Sequence, residues 1–145
     1  MPPRLTLRRA SRADLPALTA VDPRLVTESG RAGHIGDLLD LGVSWLAKMK
    51  GEAVGYVVVS DHFFAHPFVD LLVVGEAHRR RGVGGKLMAK AEADHDDDRL
   101  FTSTNQSNLP MRALLAGRGY QVSGLIDNLD PDDPEIVYVK FKSRD

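Results

Sequence analysis

Two hydrophobic periods alternate along the chain, and each change between them predicts a new structural element. Residues 5–8 alternate apolar and polar side chains, which is typical of a half-buried strand. Ser11 and Asp14 then form a capping box, and apolar residues at helical spacing predict a helix that Pro23 ends. A weaker helical pattern over residues 35–41 follows. The first part of the chain is therefore predicted to form a strand and two helices.

Three strands are predicted in the middle of the chain. Residues 43–49 and 53–59 are strand-like, and the short connection around Gly51 predicts a hairpin between them. Residues 68–74 form a third run that is apolar on both faces except at Asp70. A run of this kind is typical of a buried central strand.

The second half of the chain predicts two helices, a strand and a terminal hairpin. A helical stripe covers residues 84–91, and residues 100–104 form a strand pattern. Asn108 is a good N-cap for the second helix. Residues 120–126 and 136–141 then predict the two arms of the hairpin. The order β-α-α-β-β-β-α-β-α-β-β predicts an α/β (α+β) fold with a mixed, largely antiparallel central sheet flanked by helices.

Composition narrows the class of protein without changing this architecture. The 145 residues include no cysteine, which excludes disulfides, thiolate metal sites and a cysteine nucleophile. The formal net charge of −1 gives no whole-molecule attraction for nucleic acid or anionic lipid. Neither a signal-peptide pattern nor an apolar run of membrane length is present. We expect a single cytoplasmic domain over residues 1–145 that binds neither nucleic acid nor membranes.

A dense cluster of turn residues follows the predicted central strand. Three arginines at positions 79–81 precede Gly82 and Gly84, and a helix begins there. Backbone N–H groups at such a turn converge on an anion, and glycine lets a phosphate approach the backbone. The glycine motifs that bind ATP and NAD are both absent. Leu87 occupies the position where the ATP-binding motif needs Ser or Thr, and it also occupies the position of the third glycine in the NAD-binding motif. A solvated basic turn is the alternative interpretation.

The pattern R-x-x-G-x-G at Arg79–Gly84 resembles the signature of the GNAT family of N-acetyltransferases. The order of predicted elements also resembles that fold over essentially the whole chain. In this family an apolar strand, the turn and the next helix bind the pyrophosphate of acetyl-coenzyme A. The resemblance implies acetyl-CoA as the acyl donor. It also implies cofactor-binding roles for Leu72, Val73, Val74, Arg79, Arg80, Arg81, Gly82, Val83, Gly84, Gly85 and Asn108.

The resemblance also implies catalytic roles for Asp70 and Val74. A backbone N–H at or near Val74 would meet the oxyanion of the tetrahedral intermediate. Asp70 aligns with an acidic position that, in some members, draws the proton from the amine through water. Its alternative is an ordinary strand residue that faces solvent or pairs with an arginine. Asn108 has a similar double interpretation, because capping the next helix would also explain it.

Many family members carry a tyrosine that protonates the departing thiolate, and here that position is Leu115. The groups left for this role are Ser103, Thr104, Tyr56 and bound water. Tyr120 falls at a position where the family has a core aromatic residue, so we expect it to pack rather than react. No His or Asp cluster has the spacing of a metal site, and we expect no metal.

The resemblance implies an acetyl-CoA-dependent N-acetyltransferase in which the amine attacks the thioester directly in a ternary complex. The absence of cysteine agrees with direct transfer, because no cysteinyl acyl-enzyme can form. The alternative is a non-catalytic acyl-CoA-binding or regulatory module that has lost the tyrosine acid. The expected acceptor is a small-molecule amine or an amine of a peptide or protein. The terminal hairpin offers a sheet edge for a homodimer.

Overall fold

A seven-stranded sheet with helices on both faces forms the protein in a computed structural model that describes residues 4–142. The strands are β1 (Leu5–Arg9), β2 (Val43–Met49), β3 (Glu52–Phe63), β4 (His66–Val74), β5 (Arg99–Asn105), β6 (Gln121–Ile126) and β7 (Glu135–Phe141). The helices are α1 (Leu15–Leu18), α2 (Arg24–Thr27), α3 (Arg31–Leu41), α4 (Val83–Ala93) and α5 (Leu109–Gly117). The strand order is β1-β2-β3-β4-β5-β7-β6, and β4–β5 is the parallel pair in an otherwise antiparallel sheet. The predicted mixed, largely antiparallel sheet is confirmed.

The predicted first helix is shorter than its hydrophobic pattern indicated. The capping box is present, with the Ser11 N–H donating to Asp14 Oδ2 at 2.8 Å, but α1 is a four-residue helix. Pro23 is the N-cap of a further short helix, α2, which the pattern did not predict. Asp22 lies between the two helices, and its side chain points into the protein and is 2% exposed. This inward turn breaks the helix, and proline is tolerated at the start of the next one.

A tight hairpin connects β3 and β4, and both strands are longer than the predicted 53–59 and 68–74. Both strands extend to a turn at Phe64 and Ala65, which have φ values of 53° and 66°. The Phe63 ring stacks on Phe68 at a centroid distance of 4.8 Å and lies 4.9 Å from the Phe101 ring. These aromatic contacts stabilise the end of the hairpin against β5.

Two apolar clusters bury the two faces of the sheet. Helices α4 and α5 cover one face through residues that include Leu87, Met88 and Leu115. Helices α1–α3 cover the β1–β4 part of the other face through residues that include Leu18 and Ile35. None of the helices between residues 4 and 142 has the length and hydropathy of a membrane span. Strand β6 is an edge of the sheet, while the homodimer stays a prediction.

Candidate functional site

The parallel strands β4 and β5 separate after a very short ladder. Phe68 pairs with Phe101 and Val69 with Thr102, and no further residues of the two strands are paired. Residues 70–74 of β4 therefore face residues 103–105 of β5 across a gap in the sheet. We call this gap the β4–β5 cleft.

Backbone groups of β4 point into this cleft. The Gly75 N–H donates to the Val54 carbonyl at 2.9 Å, which continues the antiparallel register of β3 and β4. Hydrogen-bonded and non-hydrogen-bonded pairs alternate in such a ladder, so Val73 bonds to β3. Leu72 and Val74 then direct their N–H and C=O groups to the opposite side, where β5 has already moved away. Two unpaired N–H donors thus line the cleft.

A turn with two left-handed residues carries the chain from β4 into α4. Arg80 has a φ of 64° and Gly82 a φ of 80°, a conformation that glycine adopts freely and arginine rarely. The Lys86 N–H donates to the Gly82 carbonyl at 3.1 Å, so Gly82 begins the helix. The N–H groups of residues 83–85 have no acceptor within the helix. They form the donor set that the sequence predicted for a phosphate.

The positive charge of this turn lies beside the cleft. Arg79, Arg80 and Arg81 are all exposed, and Arg79 Nε donates to the carbonyl of Val74 at 3.3 Å. A Cβ placed on Gly84 would lie 3.6 Å from Val74 Cγ2 and 3.5 Å from Leu114 Cδ2 of α5. Strand β4 and helices α4 and α5 therefore meet at Gly84, and the turn is contiguous with the end of β4. Buried Val83 and half-buried Gly85 complete the predicted segment.

Asp70 lies in a β-bulge at the narrow end of the cleft. Val59 pairs with Val69 and Val58 with Leu71, which leaves Asp70 as an extra residue on β4. A bulge interrupts the ladder and redirects side chains. Val69 packs in the cluster below α4, whereas Leu71 packs against the cluster below α1–α3. The bulge accounts for this change of face.

The surroundings of the Asp70 carboxylate disfavour its charged form. The side chain is exposed, but partial desolvation raises its pKa above the ordinary value. Ser60, His62 and His34 oppose that rise. Because His34 belongs to α3, the carboxylate lies on the face that α1–α3 cover. Among residues 4–142, no lysine or arginine forms an ion pair with Asp70.

A second carboxylate, which the sequence analysis missed, lies across the cleft on β7. Ser103, the first residue of β5 beyond the paired segment, donates its hydroxyl to Glu135 Oε2 at 3.3 Å. Burial raises the pKa of Glu135, and the nearby Asp130 and Asp133 raise it further. Glu135 Oε1 is buried and has no hydrogen-bond partner in the described part of the chain. The only signal in the sequence was the acidic hairpin turn, in which Glu135 is not distinguished from its neighbours.

Helix α5 presents one predicted residue at its start and buries another near its end. The Asn108 Oδ1 accepts a hydrogen bond from the Met111 N–H at 3.2 Å, so the predicted N-cap is confirmed. Its side-chain amide is exposed and remains available to a ligand. Leu115 is 0% exposed within the apolar cluster under α4 and α5. The position where many relatives carry an acid is thus fully apolar.

Other features lie apart from the cleft. A groove of about 900 Å³ adjoins Arg79 between α1, the β2–β3 turn and residues 75–79, but neither Asp70 nor Gly84 lines it. His66 places its Nδ1 2.9 Å from Asp97 Oδ2. Residues 4–142 contain no group of three or more His, Asp or Glu side chains arranged to hold a metal ion.

Comparisons with known proteins place this geometry in a family. The family model described as acetyltransferase (GNAT) family matches residues 15–120. An acetyltransferase of the GNAT family from Bacillus cereus is 28% identical, with a TM-score of 0.87 over 97% of this chain and 99% of that one. The ribosomal-protein-S18-alanine N-acetyltransferase of Escherichia coli has 15% identity and a TM-score of 0.82, covering 98% and 96% of the two chains.

A third similar structure, described as a putative streptothricin acetyltransferase from Bacillus anthracis, was solved in complex with acetyl coenzyme A. It is 16% identical, with a TM-score of 0.65 over 71% of this chain and 64% of that one. No match was found among the curated proteins. The family model covers well over half of the sequence, and the structural matches share the mixed sheet with its flanking helices. The chain therefore belongs to the GNAT family of acetyltransferases.

Proposed function

We propose that the protein transfers an acetyl group from acetyl-CoA to an amine by direct attack of the amine on the thioester. The observation that carries this proposal is the β4–β5 cleft. Its backbone donors lie between a cationic glycine turn at one end and the Asp70 carboxylate at the other. An anionic cofactor and a proton acceptor thus have separate places around one gap in the sheet.

The cofactor would lie along β4 with its pyrophosphate on the turn. The free N–H groups of residues 83–85 and the side chains of Arg79–Arg81 supply the donors and the positive charge that a pyrophosphate needs. The backbone N–H groups of Leu72 and Val74, which β3 does not use, suit the amides of the pantetheine arm, with Asn108 at the start of α5. The acetyl-CoA complex of the similar Bacillus anthracis structure supports this choice of cofactor.

The chemistry would be divided between Val74 and Asp70. An N–H at or near Val74 stabilises the oxyanion that forms when the amine attacks the thioester carbonyl. Asp70, whose pKa is raised by desolvation, accepts a proton from the amine, directly or through water. Because the chain has no cysteine, the acetyl group passes from the cofactor's sulfur to the amine without a cysteinyl intermediate.

The acceptor class stays open between small amines and amines of peptides or proteins. The Escherichia coli neighbour is named for the alanine of a ribosomal protein, which supports including peptide amines among the first substrates to be tested. A non-catalytic acyl-CoA-binding module is the competing function. The observation that favours it is the apolar Leu115, which removes the acid that many relatives use.

Calorimetry with acetyl-CoA and a thiol-release assay over a panel of amines test the proposal together. We expect binding, and turnover with at least one amine. Arg79→Ala and Arg81→Ala should each weaken acetyl-CoA binding severalfold, while Arg4→Ala, an exposed arginine outside the turn, should not. Binding without turnover across the panel would support the module instead. Absence of binding at high micromolar acetyl-CoA would overturn both functions.

A further inference from the structure

Transfer to an amine leaves a thiolate on the cofactor, and Leu115 offers no proton to it. We propose that Tyr138 on β7 protonates this thiolate, which makes it a further catalytic residue of the reaction proposed above. The inference rests on that proposed function and adds a residue from a strand that the sequence analysis did not connect with the chemistry.

The hydrogen bonds of the three tyrosines single out Tyr138. The Tyr56 hydroxyl donates to Asp22 Oδ2 at 2.7 Å, and the Tyr120 hydroxyl donates to Glu92 Oε2 at 3.0 Å. Both hydroxyl protons are held by carboxylates, and the pKa of each tyrosine is raised by burial and by its carboxylate partner. Tyr138 is 5% exposed, yet its hydroxyl has no hydrogen-bond partner among residues 4–142 and is not sealed from solvent.

The position of Tyr138 brings it to the base of the cleft. Tyr138 pairs with Thr102 of β5, and Thr102 pairs with Val69 of β4. This is the last level at which β4 and β5 are joined before they separate. Tyr138 also packs in the same apolar cluster as Leu115, on the face that α4 and α5 cover. A buried ring whose hydroxyl has no partner among residues 4–142 thus lies at the level where the cleft begins.

The other hydroxyl groups around the cleft are less suited to this role. Ser103 donates to Glu135 on the opposite face, and Thr102 Oγ1 donates to the Val69 carbonyl at 3.1 Å. The Thr104 hydroxyl has no hydrogen-bond partner in the described part of the chain, and Thr104 shares the α4–α5 face by strand alternation. An aliphatic alcohol is a much weaker acid than a phenol, whose ordinary pKa of about 10 lies near the value of about 8.5 for a thiol. The chemistry therefore favours the phenol over Thr104.

The proposed step balances in atoms and charge. The amine nitrogen forms a bond to the acetyl carbon and loses a proton towards Asp70. The bond between carbon and sulfur then breaks, and its electron pair leaves with the sulfur. The thiolate takes the Tyr138 hydroxyl proton to give free CoA, and the phenolate is reprotonated from solvent. The products are an N-acetylated amine and CoA, with no oxidant or further reactant.

The variant Tyr138→Phe tests the step, because it removes the hydroxyl and keeps the buried ring. We expect kcat to fall by about 10- to 100-fold while acetyl-CoA affinity and thermal unfolding stay close to the unmodified protein. The kcat of the unmodified protein should decline at alkaline pH as the acid loses its proton, and this decline should disappear in the variant. Tyr120→Phe is the matched control, because it removes another buried tyrosine hydroxyl, and Thr104→Val tests the competing hydroxyl. An unchanged kcat and pH profile in Tyr138→Phe, or a larger loss in Thr104→Val, would overturn the assignment.

A binding measurement separates this inference from the proposed function. CoA and desulfo-CoA, which lacks the thiol, are titrated into the unmodified protein and into Tyr138→Phe. If Tyr138 contacts the sulfur, the unmodified protein binds CoA severalfold more tightly than desulfo-CoA, and the variant loses this preference. That result without any turnover would reject the enzymatic function but keep the contact. Turnover with the same preference in both proteins would keep the function and reject Tyr138, and no binding of either compound would reject both.

Discussion

Desolvation acts on four carboxylates of this protein, yet it lowers the pKa of none: two have a lowered pKa because of their partners, and two have a raised pKa. Burial alone would raise the pKa of Asp22, but hydrogen bonds from Arg31 and Tyr56 outweigh it and lower the pKa. Glu92 behaves alike, since contacts with Arg118 at 2.7 Å and Lys140 at 2.9 Å overcome its desolvation. Both carboxylates link different structural elements. Asp22 links the region of α1–α3 to β3, and Glu92 links α4 to β7.

At the cleft, Asp70 and Glu135 are desolvated without a cation to compensate them. Their pKa values are raised, and neither forms an ion pair with lysine or arginine within residues 4–142. The sign of a pKa shift here is decided by the presence of a counter-charge rather than by depth. Uncompensated charge costs stability and is retained where chemistry or a ligand uses it. The comparison thus separates structural carboxylates from candidate functional ones.

The largest effect is expected from Asp70→Asn. Loss of the proton acceptor should lower kcat by about 10²- to 10⁴-fold, and the fold should be preserved because the side chain is exposed. In the unmodified protein kcat should fall as pH decreases, because Asp70 must be deprotonated to act. Its raised pKa places this fall at a higher pH than an ordinary aspartate would. Asp61→Asn, another exposed aspartate close by in sequence, is the control, and a kcat within threefold of the unmodified protein in Asp70→Asn would remove Asp70 from the mechanism.

Asp22→Asn should act on stability instead of chemistry. The change leaves Arg31, 14% exposed, without the carboxylate that Nη2 contacts at 2.8 Å, and breaking such a buried pair costs about 3–5 kcal/mol. Because the pKa of Asp22 is lowered on folding, its stabilisation is present above the unfolded-state pKa and is lost as pH falls through the folded-state pKa. Urea unfolding at neutral and acidic pH measures both effects.

The control for Asp22 is Asp37→Asn. Asp37 contacts Arg12 at 2.7 Å but is 71% exposed, so its removal should cost much less stability than the removal of the Asp22 carboxylate. Equal losses in the two variants would show that burial does not separate these ion pairs.

Local patterns in the sequence predicted the turn at Gly82–Gly84, the Asn108 cap and the exceptional aspartate of β4, because each depends on neighbours a few residues away. The cleft itself was not predictable, since it depends on where β5 diverges from a strand that is about 30 residues earlier in the chain. Glu135 and the Asp22–Arg31 pair were missed for the same reason. The role of each of these residues depends on which charges the fold brings together. The sequence around a single acidic residue does not show those contacts.

Glu135→Gln should have a smaller effect of opposite sign on stability. A folded-state pKa above the unfolded value means that the fold prefers the protonated carboxyl, so stability decreases as pH rises through this range. The neutral amide should therefore stabilise the protein at neutral pH. Urea unfolding detects the gain, and acceptor kinetics should show a severalfold change in KM with little change in kcat. If Glu135→Gln is less stable than the unmodified protein at neutral pH, Glu135 has a structural role like that of Asp22 and Glu92.

The smallest effect is expected at Arg80, which extends the comparison to a cation. Arg80 has a φ of 64°, which is a strained backbone conformation for arginine. Its exposed guanidinium forms no ion pair within residues 4–142, so its charge has no counter-charge. Arg80→Gly should raise the unfolding free energy of the free protein by about 1 kcal/mol, because glycine adopts this conformation without strain. The same variant should gain less stability from saturating acetyl-CoA, since one positive charge near the pyrophosphate is lost. Arg80→Ala keeps the strained backbone without the charge and should show only the second effect. If Arg80→Ala and Arg80→Gly stabilise the free protein equally, repulsion among the arginines, and not backbone strain, destabilises the turn.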